Sequence, residues 1–334
     1  MTSYLVGRKL QVRVGESLSD PFLATSGVLQ GSHLGLLLFL LYVHDLTLLL
    51  RGADHLLYAD DLKMSCTIDS EDDCLRLQEI LNRVAEWGNR NRLQLNSFKC
   101  QVISFNRSRT KVNYVYHLGE NSLQRVTTVK DLGVMFDEKL TFRRHIDRVI
   151  SKCRSTLGLV KRFTKEFGDI NVGRTLYCSL VRPIIEYAAP VWTPYQNTHI
   201  ARIESIQKQF VLFALGRQRI PGSYALLPYK HRLASLGLDR LRDRSKTTCT
   251  TFVFDILMQR IQCHELRALI LVNPCRRMRR NRYLIEAFHR TEYGRHEPVN
   301  KCVVIFNSVA DIFKSGLSHR GFIKAACDFF KEAS

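Results

Sequence analysis

Residues 55–66, HLLYADDLKMSC, contain two short apolar runs that flank a pair of adjacent carboxylates. Short apolar runs on either side of a polar turn predict a β-hairpin. Asp60 and Asp61 would therefore lie at the tip of this hairpin, where their repulsion is costly unless water or a cation neutralises it. The stretch predicts either a solvated turn or a cation-binding one.

The chemistry open to these two carboxylates depends on the cation. Carboxylate oxygens suit Mg²⁺, which takes one or two protein carboxylates and fills its other positions with water and substrate phosphates. A pair of such ions can activate a 3′-hydroxyl and stabilise a leaving pyrophosphate. An Asp-Asp pair is also ordinary turn chemistry, and taken alone the pattern favours that simpler interpretation.

Three further motifs accompany the carboxylates. Residues 27–32, GVLQGS, precede them at a predicted strand-to-helix junction. The two glycines allow close backbone approach to a ligand, and the amide of Gln30 can reach a base or a sugar. Residues 93–99, LQLNSFK, and residues 130–134, KDLGV, follow the carboxylates. The ordered series favours a ligand-binding function over a chance turn.

The first 140 residues combine strand and helix patterns. Residues 3–26 have strand character, and the leucine-rich stretch up to Asp45 predicts a helix buried on most sides. Ser70 and Asp73 form a capping-box pattern that predicts the start of an amphipathic helix. Further short strands are predicted at 93–95, 102–105 and 129–134.

From Thr141 onward, apolar residues recur at helical spacing. These stripes predict helices that contain residues 142–160, 172–184 and 200–213, and two more near 232–246 and 250–272. The chain is therefore expected to be a mixed α/β piece followed by helices.

The formal net charge of +19 is unevenly distributed. Residues 1–140 contain equal numbers of basic and acidic side chains, so the whole excess lies in residues 141–334. Such a segment predicts a polyanionic partner, usually nucleic acid. Residues 276–283, RRMRRNRY, suit the backbone of RNA or a single strand, although a solvated helix face or a nuclear-localisation-like run fits the same pattern.

Cysteine usage and hydropathy indicate the compartment. The ten cysteines include no CxxC pair, so reduced thiols in an intracellular protein are expected. The N-terminus lacks the apolar region of a signal peptide. The leucine-rich stretch is interrupted by His44 and Asp45 before it could span a bilayer. We expect an intracellular protein without a membrane segment, in either nucleus or cytoplasm.

The ordered motifs resemble those of the reverse transcriptases of non-LTR retrotransposons, the LINE-type elements, and most nearly the jockey-like group found in insects. The resemblance begins near Tyr4 and runs through almost the whole chain. It includes residues 187–192, YAAPVW, and residues 290–294, RTEYG.

The resemblance implies a role for the residues of the hairpin. Asp60 would be the metal-binding palm carboxylate of the family, with Asp61 as its neighbour, and together they would bind Mg²⁺. Tyr58 and Ala59 would line the floor on which the primer and the incoming nucleotide lie.

The flanking motifs would contact the substrates. Gln30 and Gly31 correspond to the part of the family motif that contacts nucleotide and template. Lys99 matches the lysine of an Asn-x-x-Lys pattern, proposed as a proton donor to pyrophosphate, and a solvated surface lysine is the alternative. The strands that hold the primer end would include Leu132, Gly133 and Val134.

The sequence departs from the family pattern in the glycine motif. Leu29 and Leu36 stand where the family usually has proline, and His33 where it has a small or aliphatic residue. Losing a proline reduces the preorganisation of a turn and removes no ligand. The first palm strand, with the other essential metal carboxylate, and the fingers would precede Met1. The two-metal site is therefore expected to be incomplete, which leaves enzymatic activity open.

The expected fold class is α+β. A partial reverse transcriptase palm is expected in residues 1–140, a helical thumb-like region in 141–230 and a basic helical C-terminal region in 231–334. The expected function is RNA-directed DNA polymerisation by two-Mg²⁺ nucleotidyl transfer. The alternative is a catalytically inert, truncated remnant that binds nucleic acid. The implied partners are an RNA template, a DNA primer and deoxynucleoside triphosphates, with no membrane and no small-molecule cofactor.

Overall fold

The structure is a computed structural model that describes residues 2–29, 31–106, 112–167, 169–217, 227–274 and 282–333. Helices and strands are both present, which confirms the mixed α and β composition expected from the sequence. The chain divides into two compact units, Met1–Val129 and Lys130–Ser334. The finer division at residues 140 and 230 stays a prediction.

The first unit begins with a short helix and four two-residue strands: α1 (Thr2–Leu5), β1 (Lys9–Leu10), β2 (Arg13–Val14), β3 (Ser17–Leu18) and β4 (Phe22–Leu23). The elements around the predicted hairpin follow: α2 (His33–Tyr42), α3 (Leu46–Leu49), β5 (Asp54–Tyr58), β6 (Asp61–Ser65) and α4 (Glu71–Arg90). The last strands are β7 (Gln101–Val102), β8 (His117–Leu118), β9 (Asn121–Ser122), β10 (Gln124–Arg125) and β11 (Thr128–Asp131), within which the boundary between the units falls.

The described strands of the first unit form separate pairs. β1 pairs with β4, β2 with β3, β5 with β6 and β8 with β9, all antiparallel, while β7 and β10 are parallel. The prediction of strand character throughout residues 3–26 was therefore wrong in part, because α1 is helical and the alternating run breaks between Leu10 and Arg13. Most side chains of this segment are exposed, so no buried face stabilises longer strands. Residues 93–95 also lack strand structure.

Helix α4 builds the two cores of the first unit. One cluster joins its Ile80, Val84 and Trp87 to Val43, Leu46 and Leu50. The other joins its Cys74 and Leu81 to Tyr116 and Leu118. The predicted capping box is confirmed, since the backbone N–H and the hydroxyl of Ser70 both donate to Asp73 Oδ2 at 2.9 Å.

Helix α2 is much more exposed than its sequence predicted. Its only buried residue is Gly35. Several of its large apolar side chains are exposed, from 44% at Tyr42 to 66% at Leu41. They are Leu36, Leu37, Leu40, Leu41 and Tyr42. The expectation of a helix buried on most sides was wrong. Apolar residues surround the whole helix, whereas the core of the described unit meets it on one side, at Phe39.

The second unit continues from β11 into β12 (Val134–Asp137) and is mainly helical where it is described, with an isolated antiparallel bridge between Val272 and Leu284. Its first helical elements are α5 (Arg143–Phe167), α6 (Ile170–Leu176), a π-helical turn (Tyr177–Val181), α7 (Arg182–Glu186), α8 (Ala189–Trp192) and α9 (Asn197–Arg217). The later helices are α10 (Tyr229–Ser235), α11 (Leu241–Leu257), α12 (His264–Leu269), α13 (Glu292–Arg295), α14 (Pro298–Asn307), α15 (Ala310–Lys314) and α16 (His319–Glu332).

Two predictions for the second unit need correction. The single strand predicted at 129–134 is a β11–β12 hairpin with its turn at Leu132 and Gly133. The two helices predicted near 232–246 and 250–272 are three helices, α10, α11 and α12, because α11 runs through residues 246–250. Threonines in this run satisfy their hydroxyls on helix carbonyls, as Thr251 does by donating to Thr247 O at 2.8 Å, and so remain compatible with the helix.

Two apolar clusters hold the helices of the second unit together. The first packs α5, the π-helical turn and α9 around Cys153, Tyr177 and Phe210. The second packs α11, α14 and α16 around Val253, Phe306 and Phe322. Helical structure over the predicted stripes 142–160, 172–184 and 200–213 is thus confirmed, except that Phe142 precedes α5 and that 172–184 contains the π-helical turn. Within the described ranges, every helix is too short or too polar to cross a bilayer.

Candidate active site

The carboxylate turn is a tight antiparallel hairpin. β5 and β6 pair over five residues each, and the last pair joins Tyr58 to Asp61. Ala59 and Asp60 are thus the two turn residues, and Ala59 has a φ of 54°. A positive φ at the first turn position is the feature of type II′ hairpins, where glycine is usual. The turn holds Asp60 and Asp61 adjacent at the cost of strain at Ala59.

Both carboxylates are exposed and available for a ligand. Among the described residues, no hydrogen bond or ion pair engages the carboxylate of Asp60 or of Asp61. The same residues contain no group of three or more histidines, cysteines or carboxylates that could hold a metal. The donor set is thus two hard oxygen ligands, which fits a Mg²⁺ ion that keeps water or phosphate at its other positions.

The core of the first unit fixes the position of the hairpin. Leu62 and Met64 of β6 pack against the cluster that contains Val84 and Trp87 of α4. The indole N–H of Trp87 also donates to Asp45 Oδ1 at 3.1 Å. On β5, Tyr58 points outward, with 63% of its surface exposed. The hairpin thus has one face half-buried against this cluster and leaves Tyr58 beside the carboxylates open to solvent.

The glycine motif forms the entry to α2. Gly31 has a φ of 82°, a backbone conformation that would strain a residue with a Cβ. Ser32 caps the helix by accepting the Gly35 N–H at 3.0 Å. The guanidinium of Arg8 donates to Gly27 O at 2.5 Å and secures the start of the motif. Gln30, the predicted nucleotide contact, lies outside the described residues.

Lys99 lies in an exposed turn between the segments 93–95 and 102–105 that were predicted as strands. Its backbone N–H donates to Asn96 O at 3.1 Å, while its side chain is exposed. Among the described residues, no hydrogen bond or ion pair connects Lys99 or Gly31 to Asp60 or Asp61. The structure therefore brings together four of the predicted site residues, Tyr58, Ala59, Asp60 and Asp61, in one turn.

The predicted primer-holding residues lie in a hairpin of the second unit. Leu132 and Gly133 are its turn residues, with φ values of 42° and 88°. Positive φ at both positions is the feature of type I′ turns, which suit the twist of paired strands. Tyr187 fixes this turn, because its phenol donates to Leu132 O at 2.6 Å. The third residue, Val134, is buried in the core next to α5.

His145 joins the same hairpin to α5. Its Nδ1 accepts the Met135 N–H at 3.2 Å, and its ring meets Trp192 edge-on with 4.8 Å between centroids. Burial, with a further contribution from Arg148, lowers the pKa of His145 to about 4. The imidazole is thus held neutral, which suits its function as a hydrogen-bond acceptor inside the core.

The sequence interpretation missed three features of these hairpins. Tyr187 stands in the family motif YAAPVW, but the motif alone does not show that its hydroxyl reaches Leu132. His145 is one of several histidines, and no local pattern distinguishes it as buried. The strain at Ala59 is visible only in the backbone, although a two-residue turn without glycine hints at it. The basic run at 276–281 lies outside the described residues.

Comparison with known proteins agrees with this arrangement of motifs. The family described as reverse transcriptase (RNA-dependent DNA polymerase) matches residues 1–136. The probable RNA-directed DNA polymerase from transposon X-element of Drosophila melanogaster is 29% identical over 65% of this chain and 24% of its own length. The RNA-directed DNA polymerase from mobile element jockey of Drosophila funebris is 28% identical over 63% of this chain and 24% of its own. No solved structure matches the chain significantly.

These matches confirm the resemblance to the reverse transcriptases of non-LTR, LINE-type retrotransposons that the motifs around Asp60 and Asp61 indicated. It spans about a quarter of the length of the curated relatives that it matches. That this chain shares the activity named for the longer relatives is therefore a proposal.

Proposed function

We propose that the chain performs RNA-directed DNA polymerisation at the Ala59-Asp60 turn. The observation that supports this most directly is the pair of exposed, unengaged carboxylates, Asp60 and Asp61, held adjacent at the tip of a hairpin in the region that matches the reverse transcriptase family. Deoxynucleotides would be added to the 3′ end of a DNA primer on an RNA template. The polymerase palm would then lie in the first unit.

Each residue of the turn has a part in this reaction. Asp60 and Asp61 would hold Mg²⁺, which when bound supplies charge neutralisation for the attacking and leaving oxygens. Tyr58, exposed beside them, would support the incoming nucleotide and the primer end with its ring. The strained backbone at Ala59 would keep the two carboxylates in one orientation, which matters because small displacements of reacting groups cost large rate factors.

The flanking motifs would bind the substrates. Gln30 and Gly31 would contact the nucleotide and template, and Lys99 would donate a proton to the leaving pyrophosphate. An exposed lysine in a turn is free to adjust to a bound triphosphate, which fits this assignment. In the second unit, the turn at Leu132 and Gly133, followed by Val134, would hold the primer end.

The basic helices of the second unit would follow the nucleic-acid duplex as a thumb. Helix α5 buries an apolar stripe in the core, and its opposite face is strongly basic. The exposed cations of this face are Arg143, Arg144, Arg148, Lys152, Arg154, Arg162 and Lys165. Such a face suits phosphate contacts, which contribute affinity without reading sequence.

Primer extension by the purified chain tests the proposal. With an RNA template, a labelled DNA primer, deoxynucleotides and Mg²⁺, we expect incorporation that Asp60→Ala abolishes. Glu79→Ala is the matched control, since Glu79 is an exposed carboxylate of the same unit on α4. Salt-sensitive binding of the primer–template duplex without incorporation would instead support the inert, nucleic-acid-binding alternative.

A further inference from the structure

The second unit contains a cavity of about 590 Å³ that lies outside the proposed polymerase motifs. Its walls come from α7 to α9, α11, α14 and the segment 286–289. Apolar groups such as Ile185, Trp192 and Leu241 form part of the lining. The volume lies within the range of ~300–1,000 Å³ that is typical of small-ligand pockets.

A buried lysine stands in the wall of this cavity. Lys301 is 8% exposed, and its Nζ donates to Thr193 O at 3.0 Å. No carboxylate in the described parts of the chain lies within ion-pair distance of it. Burial lowers the pKa of Lys301. Burial disfavours the charged form of this amine, and an anionic ligand beside it would favour that form and be bound by it.

The carboxylates that line the cavity are already engaged by other groups. Glu186 accepts two hydrogen bonds from Arg244. Glu204 accepts the phenol of Tyr229 at 2.7 Å. The third, Glu286, is paired with Arg282 at 2.6 Å. None of the three is within ion-pair distance of Lys301, and the carboxylate that acts on it, Glu297, is outside the lining. An anion that enters the cavity would therefore meet no competing ion pair at Lys301.

Aromatic rings accompany the lysine. Tyr195 and His296 are stacked in the lining, with 4.1 Å between centroids and 6° between planes. Phe288, also in the lining, is 86% exposed. An anion alone would not need the rings, and an apolar ligand would not need the lysine. Rings for base stacking beside cations for phosphate are the combination by which proteins bind single-stranded nucleic acid.

We propose that this cavity binds one nucleotide of a single-stranded nucleic acid, with the base against Phe288 and the Tyr195–His296 stack and a phosphate at Lys301. The site is separate from the carboxylate turn and does not depend on catalysis there. It would anchor a strand at a fixed point of the second unit.

Fluorescence titration tests the site. The full chain is titrated with a short single-stranded oligoribonucleotide that carries one 2-aminopurine, whose emission falls when the base stacks on a ring. We expect Lys301→Met to weaken binding roughly 10- to 100-fold, the size of a lost charge-assisted hydrogen bond to a buried group. Phe288→Ala should weaken it about 5- to 100-fold and reduce the quenching, because one stacking partner is lost.

The controls use side chains of the same types outside the cavity. Lys324→Met and Phe329→Ala alter α16, where Lys324 and Phe329 are exposed, and should leave the affinity unchanged. Lys301→Met should still fold, as urea denaturation would show, because methionine is unbranched and carries no group that must be hydrogen-bonded in a buried site. Equal weakening by the Lys301 and Lys324 variants would overturn the proposal.

Two further measurements complete the test. Competition with adenosine monophosphate shows whether the cavity prefers a strand or a free nucleotide. If adenosine monophosphate displaces the oligonucleotide and binds as tightly as the oligonucleotide does, the assignment to a strand is overturned. Asp60→Ala should leave the titration unchanged while it abolishes primer extension. Failure of the proposed polymerase function is thereby distinguishable from failure of this site.

Discussion

The phenol of Tyr187 donates a hydrogen bond to the backbone carbonyl of Leu132, with 2.6 Å between the two oxygens. The same ring lies against Gly133, where a Cβ would approach Tyr187 Cε1 to 3.3 Å. The backbone carbonyl of Tyr187 accepts the indole N–H of Trp192 at 2.7 Å. One tyrosine therefore connects the β11–β12 turn to the helices of the second unit.

We expect Tyr187→Phe to lower the free energy of unfolding by about 1 kcal/mol, the usual net contribution of one hydrogen bond. Urea denaturation measures this. Tyr187→Ala should cost more, because the ring that covers Gly133 is lost as well. If the Phe variant is as stable as the wild type, the hydroxyl does not secure the turn.

Gly133→Ala should destabilise the protein by about 1–2 kcal/mol from backbone strain alone, since the φ of 88° disfavours an L side chain. The contact with Tyr187 adds a steric cost. A double-mutant cycle with Tyr187→Ala separates the two, because the alanine removes the ring and leaves the φ unchanged. Full additivity of the two substitutions would show that the ring and the new methyl group do not meet.

Ala59→Gly should stabilise the first unit and weaken catalysis. Removing the positive-φ strain should raise the free energy of unfolding by about 1–2 kcal/mol. The greater conformational entropy of glycine in the unfolded chain should offset about 0.5–1 kcal/mol of this gain. Urea denaturation should thus show a small gain, while primer extension falls because Asp60 and Asp61 are less firmly oriented. A variant that is both more stable and equally active would show that the strain has no catalytic function.

The lowered pKa of His145 predicts that the stability of the protein depends on pH. Its pKa is about 4 in the folded protein, because of burial and of Arg148, against about 6.5 when unfolded. The unfolded state therefore binds a proton more readily, so protonation of His145 favours unfolding. The stabilising contribution of the neutral imidazole is complete above about pH 6.5 and is lost as the pH falls through about 4. The shift corresponds to about 3 kcal/mol.

Urea denaturation between pH 7 and pH 4 measures this dependence in the wild type and in His145→Gln. The glutamine can still accept the Met135 N–H but does not titrate, so the decline with acid should become shallower. An unchanged slope in the variant would assign the acid sensitivity to other groups.

The sequence predicted the carboxylate hairpin and the start of α4 because local pattern determines both. Apolar runs around Asp60 and Asp61 specify the strands, and Ser70 with Asp73 specifies the cap. The burial of α2 could not be predicted in the same way, since apolar residues on all sides of a helix do not show how many sides are covered.

Long-range partners account for the other differences. Tyr187 and Leu132 are far apart in the sequence, and no local pattern links a phenol to a particular carbonyl. Lys301 is similar, because nothing around it in the sequence marks one lysine among many as buried beside Thr193. Their positions follow from how the helices pack, which composition and periodicity do not specify.

The exposed leucines of α2 have a practical consequence for work with this protein. Salts such as sulfate strengthen the association of apolar surfaces, so Leu37 and Leu41 should drive self-association as sulfate is added. The nucleic-acid binding that we propose for the basic helices should weaken over the same range, because the release of condensed counterions contributes less at high salt. Light scattering and binding should therefore respond to salt in opposite directions. Salt that releases bound nucleic acid from the purified chain should therefore also promote its self-association.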